Sequence, residues 1–148
     1  MGGDLSKCGG VTHLFNAMKG ISHREKSTAL SALIDDNLYT EVIADGVHLS
    51  DEALKLIFKT KPISKIILIS DSLPVTHGNL KETVFAGEKI YYDGERAVSK
   101  SGTLAGSTML IYDIVKRLIS KNMFNPQFIE NTYEYFEISS MTDEAGWD

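Results

Sequence analysis

The sequence predicts an α/β protein built on a parallel sheet, and three observations carry that expectation. Apolar runs of strand length alternate with amphipathic stretches of helical period. The third such run, "KIILISD", is continuously apolar, as expected of a strand covered on both faces. The stretches between the runs are long enough for the helical crossovers that neighbouring parallel strands require.

Taken in order, "CGGVTHLF" reads as a short buried strand near 10–14, behind two glycines. "REKSTALSALIDD" sets Ala29, Leu30, Leu33 and Ile34 at helical spacing, with Ser27 able to cap the start. "TEVIAD", 40–45, is a second strand, ended by Asp45 and Gly46. "SDEALKLIFK", 50–59, opens with Ser50 at an N-cap and acidic groups in the first turn, where the helix dipole favours them. It puts Leu54, Ile57 and Phe58 on one face, and Pro62 stops it. "KIILISD", 65–71, is the third strand. Strand, helix, strand, helix, strand is two consecutive βαβ units, so the three strands should be adjacent and in sequential order.

After Asp71 the period changes. "TVFAGEKIYYDGERAVSKSG" alternates apolar and polar residues around Asp93-Gly94, a hairpin signal. "STMLIYDIVKRLISK" predicts an amphipathic helix with Met109, Leu110, Ile114, Leu118 and Ile119 inward. "PQFIENTYEYFEI" suits a last helix, and 139–148 is a polar tail. No internal repeat or low-complexity stretch interrupts this order, so 1–148 reads as a single domain.

Bulk properties exclude several function classes. Hydrophobic content of 43% and charged content of 24% are those of an ordinary globular chain. A formal net charge of −5 argues against a nucleic-acid partner held by phosphate neutralisation. No run approaches the ~18 apolar residues of a membrane helix, so no membrane partner is expected. The N-terminus has no apolar leader, its Gly2 and Ser6 match a myristoylation pattern only loosely, and Cys8 is the one cysteine. An internal disulfide and a cysteine zinc site are therefore excluded, and the expected compartment is the cytoplasm.

Three ionisable residues recur at strand ends. His13 lies at the end of the first strand, His48 three residues beyond the second, and Asp71 at the end of the third. Ligands in parallel α/β proteins bind outside the carboxyl ends of strands, so these three groups should face one mouth. Each also has a plainer reading. His13 suits a core histidine, Asp71 the start of a turn, His48 a loop position, and Arg24 a solvated charge near a helix start. Their joint placement favours a site.

"VTHLFNAM", "HRE", "IADGVHLS", "ILISDS" and "SGTLAGSTML" follow one another in the order and spacing of the N-acetylglucosamine-6-phosphate deacetylases. The chain resembles that family, a branch of the amidohydrolase superfamily, from about 11 to 118. The resemblance implies part of a metal-dependent (β/α)8 barrel, its last three βα units, with a β-hairpin and C-terminal helices following. It implies that His13 is a metal ligand, that Asn16 and Ala17 line the sugar-phosphate pocket, and that Arg24 and His48 contact the substrate and its phosphate. It makes Asp71 the general base and acid. The implied cofactor is a divalent metal, zinc or iron, and the implied partner a small amino-sugar phosphate, cleaved to acetate and glucosamine 6-phosphate.

The family's metal site also takes a glutamate from an "EGP" segment and a histidine from "GHS", and neither occurs here. The family's "NPA" block is likewise missing, Ser72 replaces the usual alanine, and "HREKS" stands where "GREPG" is usual. Roughly five of the eight barrel strands have no counterpart. Two functions remain open on that basis. One is a piece of a sugar-phosphate deacetylase, inactive by itself, that associates with a missing N-terminal half or forms a homo-oligomer. The other is a non-catalytic sugar-phosphate-binding or structural remnant. A flavodoxin-like domain is disfavoured, because the strand-end residues would then be coincidence.

Overall fold

Parallel pairing organises the first half of the chain. The computed structural model describes residues 9–73 and 81–136. In it β1 (Gly10–Val11), β2 (Tyr39–Val42) and β3 (Ile66–Leu68) form a parallel sheet in the order β1-β2-β3. This is the topology and order that the sequence predicts. Two helices make the crossovers: α1 (Thr28–Ile34) joins β1 to β2, and α2 (Asp51–Thr60) joins β2 to β3. Both start where their serines suggested. Ser27 Oγ accepts from the Leu30 N–H and Ser50 Oγ from the Ala53 N–H, each at 3.2 Å. α2 ends at Thr60, and the chain from Pro62 turns through a short 3-10 helix (Ile63–Lys65) into β3.

The core lies on one face of this sheet. Val11, Val42, Ile66 and Leu68 pack there against Leu33 of α1, Leu54 and Ile57 of α2, and residues of two later helices. Those are α3 (Ile111–Ser120), which contributes Ile114 and Leu118, and α4 (Gln127–Tyr135), which contributes Phe128. Each fully buried Leu, Ile or Phe stabilises by about 1.5–3 kcal/mol. Asn131 fixes α4 to the start of β3, its Nδ2 donating to the carbonyls of Ile63 and Ile66, each at 2.7 Å. Lys61 does similar work at α1. Its buried ammonium donates to the carbonyls of Ala32, at 2.9 Å, and Asp35, capping a helix C-terminus. Burial there lowers the Lys61 pKa.

The second half is an antiparallel meander of β4 (Glu82–Phe85), β5 (Glu88–Tyr92), β6 (Ala97–Ser99) and β7 (Leu104–Gly106). The hairpin expected at Asp93-Gly94 joins β5 to β6, with Asp93 Oδ1 accepting from the Glu95 and Arg96 N–H groups. A tighter turn joins β4 to β5. Ala86 and Gly87 have φ of 50° and 84°, the two positive values that a two-residue hairpin loop of matching twist needs.

Several sequence expectations are corrected. Ile119, expected inward, is 58% exposed, and Ile34, placed at helical spacing with Leu33, is 73% exposed. Each directly follows a buried leucine, and one residue along a helix turns the side chain about 100° off the core face. The strands are also shorter than their apolar runs, so His13 sits in a turn and not on a strand. Cys8, the myristoylation pattern and the 139–148 tail lie outside the described residues. Among those residues, no helix is long and apolar enough to cross a membrane.

Candidate functional site

Because β1, β2 and β3 run parallel, the segments leaving their carboxyl ends emerge on one side of the sheet. His13 is the second residue after β1 and Asp71 the third after β3. The turn after β1 is an unusual piece of backbone. His13, Phe15 and Ala17 have φ of 33°, 73° and 55°, in a region that non-glycine residues enter at a cost of ~1–2 kcal/mol each. The Leu14 side chain anchors it in the core, and the Leu14 N–H donates to the Glu41 carbonyl at 2.9 Å. His13 Nδ1 lies 3.1 Å from the Asn16 carbonyl, which only accepts, so Nδ1 carries a proton and, in the neutral ring, Nε2 has the lone pair. Metal-ligating histidines in general donate their other ring N–H to a carbonyl or carboxylate in this way.

The loop after β2 is organised by a residue that sequence reading treated only as a strand terminator. Asp45 is buried, and its Oδ1 accepts from the Val47 and His48 N–H groups, each at 2.9 Å. Its Oδ2 lies 2.8 Å from His48 Nδ1 and accepts from Ser107 Oγ at 2.9 Å. Burial pushes the Asp45 carboxyl up, but the hydrogen bonds from His48 and Val47 outweigh it and hold the pKa at about 2. Asp45 is thus an anion at neutral pH, and His48 Nδ1 must donate to it. The only sequence signal for this role was the three-residue spacing from Asp45 to His48.

Ser107 carries the connection on to the third strand end. Its N–H donates to the Asp71 carbonyl at 2.9 Å, and its carbonyl accepts from the Leu73 N–H at 3.2 Å. Asp45, His48 and the Asp71 backbone therefore belong to one hydrogen-bonded unit. The Asp71 carboxylate itself is exposed, on a residue with φ of 48°. A second clamp holds the Asp45 loop from α3. Arg117 Nη1 donates to the Ala44 carbonyl at 3.2 Å and pairs with Asp51, which Lys121 also contacts at 2.9 Å.

The other candidates are less connected. Asn16 is half-buried with Nδ2 on the Leu14 carbonyl at 3.3 Å, and Ala17 is exposed. Arg24 is exposed on the segment between β1 and α1, where its own N–H donates to Ser22 Oγ at 3.2 Å. A groove of about 590 Å³ lined by Glu88, Lys89, Tyr91, Lys100 and Ser101 lies on the meander, and none of the strand-end residues lines it. Among the described residues no group of three His, Cys, Asp or Glu side chains is placed to hold a metal ion. A hydrolytic zinc takes three protein ligands and an open position. His13 suits one of them, and the described residues by themselves do not fit such a site.

No family model matches the chain. Individual relatives do. Over 110 residues it is 43% identical to an N-acetylglucosamine-6-phosphate deacetylase of Bacillus subtilis, covering 72% of this chain and 27% of that protein. The chain is homologous to part of the N-acetylglucosamine-6-phosphate deacetylases. The deacetylase from Thermotoga maritima superposes with a TM-score of 0.81 at 27% identity, over 88% of this chain and 38% of that one. The Mycobacterium smegmatis deacetylase, solved in complex with N-acetyl-D-glucosamine-6-phosphate, superposes with a TM-score of 0.71 at 28% identity, over 78% and 30%. An N-acetylgalactosamine-6-phosphate deacetylase of Escherichia coli O157:H7 is 29% identical over 79% of this chain and 31% of its own length. The chain thus spans between 27% and 38% of the length of these deacetylases.

Proposed function

We propose that this chain supplies one part of a deacetylase active site that acts on an N-acetylated amino-sugar 6-phosphate, releasing acetate and the free amine. The observation that carries the reading is the 43% identity to the Bacillus subtilis deacetylase. The strand-end grouping of His13, His48 and Asp71 supports it from the chain's own residues. On this reading the three parallel strands are the last three βα units of a (β/α)8 barrel, whose reactive groups sit at strand carboxyl ends.

The roles follow from the chemistry of each group. Asp71, an exposed carboxylate, takes a proton from the attacking water and hands it to the departing nitrogen. His48, with Nδ1 donating to Asp45, meets the sugar phosphate through Nε2, which donates to a phosphate oxygen when the ring is an imidazolium. Arg24 contributes a guanidinium, whose planar fork matches phosphate oxygens. Asn16 and Ala17 line the sugar side. His13 is one donor to a divalent metal, zinc or iron, and the remaining donors come from outside the described residues. A phosphorylated sugar is an anion that does not cross bilayers freely, so the reading places the chain in the cytoplasm.

The reading requires a partner segment equivalent to the stretch of the deacetylases that this chain does not span. Co-expression with that segment of the Bacillus subtilis relative, followed by an acetate-release assay on N-acetylglucosamine 6-phosphate, tests it. Activity in the pair and none in either part is the expected result. Binding of the sugar phosphate with no acetate release from the pair would favour a non-catalytic binding module.

A further inference from the structure

The Asp45–Ser107 pair does more than hold a loop. We infer that Asp45 and Ser107 form a positioning unit that locks His48 in the Nδ1-protonated tautomer, leaves Nε2 as its ligand-facing atom, and ties that ring to the segment carrying Asp71. The significance of His48 as a substrate contact rests on the deacetylase reading, whereas the positioning unit rests on geometry alone.

Four donors converge on one buried carboxylate. The Asp45 side chain is 2% exposed, and it takes the Val47 and His48 N–H groups on Oδ1 and the His48 ring and Ser107 hydroxyl on Oδ2. An ionised carboxylate has no proton to give, so every group facing it must donate. The His48 side chain, 5% exposed, is therefore held in one orientation with one tautomer. The same Ser107 accepts the Met109 N–H on its hydroxyl at 3.1 Å and bonds the backbone of Asp71 and Leu73. Partners 62 residues apart, Asp45 and Ser107, thereby couple the imidazole of one strand end to the loop of the next. A hydrogen-bonded carboxylate behind a histidine is a recurring way to fix which ring nitrogen works.

The substitution Asp45→Asn gives a sharp test. The amide has one accepting oxygen, and the Val47 and His48 N–H groups both require it. Its NH2 then faces His48 Nδ1, which must accept, so the proton moves to Nε2. Long-range 1H–15N correlation spectra of the imidazole in the full 148-residue chain, recorded at alkaline pH where rings are neutral, read this directly. The wild-type chain should show a single Nδ1–H form, and Asp45→Asn should invert it to Nε2–H. Ser107→Ala leaves the ionised Asp45 in place, so it should keep the Nδ1–H form, while loss of the hydroxyl tie between the two strand ends should shift the Asp71 and Leu73 amide resonances. Circular dichroism reports whether each variant is folded, and the tautomer of the wild-type chain carries the test if Asp45→Asn is not. An Nε2–H or mixed form in the wild-type chain, or an unchanged Nδ1–H form in folded Asp45→Asn, would overturn the proposal, and unshifted Asp71 and Leu73 amides in Ser107→Ala would overturn the part assigned to Ser107. Since no turnover is measured, a negative result here leaves the deacetylase reading to the co-expression assay.

Discussion

The N–H of Ser107 donates to the carbonyl of Asp71 at 2.9 Å, so the loop that presents the candidate proton carrier is pinned by a residue from beyond the meander. The two segments run side by side, Ser72 bridging Ser107 in parallel fashion. The meander thus has a part in the site without lining it, because its last strand delivers Ser107 to the end of the parallel sheet.

Gly106 makes that close approach possible. A Cβ there would lie 2.8 Å from the Asp71 carbonyl oxygen and 2.9 Å from Leu73 Cγ, at a φ of 157°. Gly106→Ala should destabilise the chain by about 1–3 kcal/mol and displace the Asp71 loop. Urea unfolding measures the first effect, and the Asp71 and Leu73 amide shifts report the second.

Asp45 sets an acid limit on stability. Its folded pKa of about 2 lies below the ordinary value of 3.8, so its contribution is complete above about pH 4 and is lost as the pH falls through 2. The difference corresponds to about 2 kcal/mol. Unfolding free energy followed between about pH 5 and pH 2 should fall less steeply in Asp45→Asn than in the wild-type chain.

Thr40 offers a stabilising change. Its hydroxyl is buried in β2 and, among the described residues, has no hydrogen-bond partner. Leaving a buried polar group unsatisfied costs about 1–3 kcal/mol, so Thr40→Val should raise stability by about 1 kcal/mol. A lower denaturation midpoint for Thr40→Val would contradict this.

The architecture was legible because it rests on local pattern. Periodicity located α1 and α2, Ser27 and Ser50 marked their starts, and the apolar run at 66–68 identified β3. Strand ends were less legible, since leaving the ladder depends on backbone geometry such as the positive φ of His13 and Asp71. Asp45 was missed for a different reason. In the sequence it looks like any acidic residue ending a strand, and what sets it apart is its bond from Ser107, which only tertiary folding brings within 2.9 Å. The inward expectation fails at Ile119 because apolar identity alone does not say which side of a buried leucine is covered.

Arg24 should act on binding. Its exposed guanidinium contacts the phosphate of substrate and transition state alike on the proposed reading, and such uniform binding raises KM when lost while leaving kcat nearly unchanged. Steady-state kinetics of Arg24→Ala in the co-expressed pair, compared with wild type, should show that split. A fall in kcat at unchanged KM would remove Arg24 from the phosphate site.

The central claim is that this chain contributes the proton-carrying group of a deacetylase. The most direct measurement is acetate release from N-acetylglucosamine 6-phosphate by the co-expressed pair carrying Asp71→Asn. An amide cannot take a proton from water, and general acid–base catalysis is worth about 10²–10⁴-fold, so turnover should fall by at least that much while sugar-phosphate binding persists. Acetate release at the wild-type rate by the Asp71→Asn pair, or robust release by the 148-residue chain alone, would contradict the account.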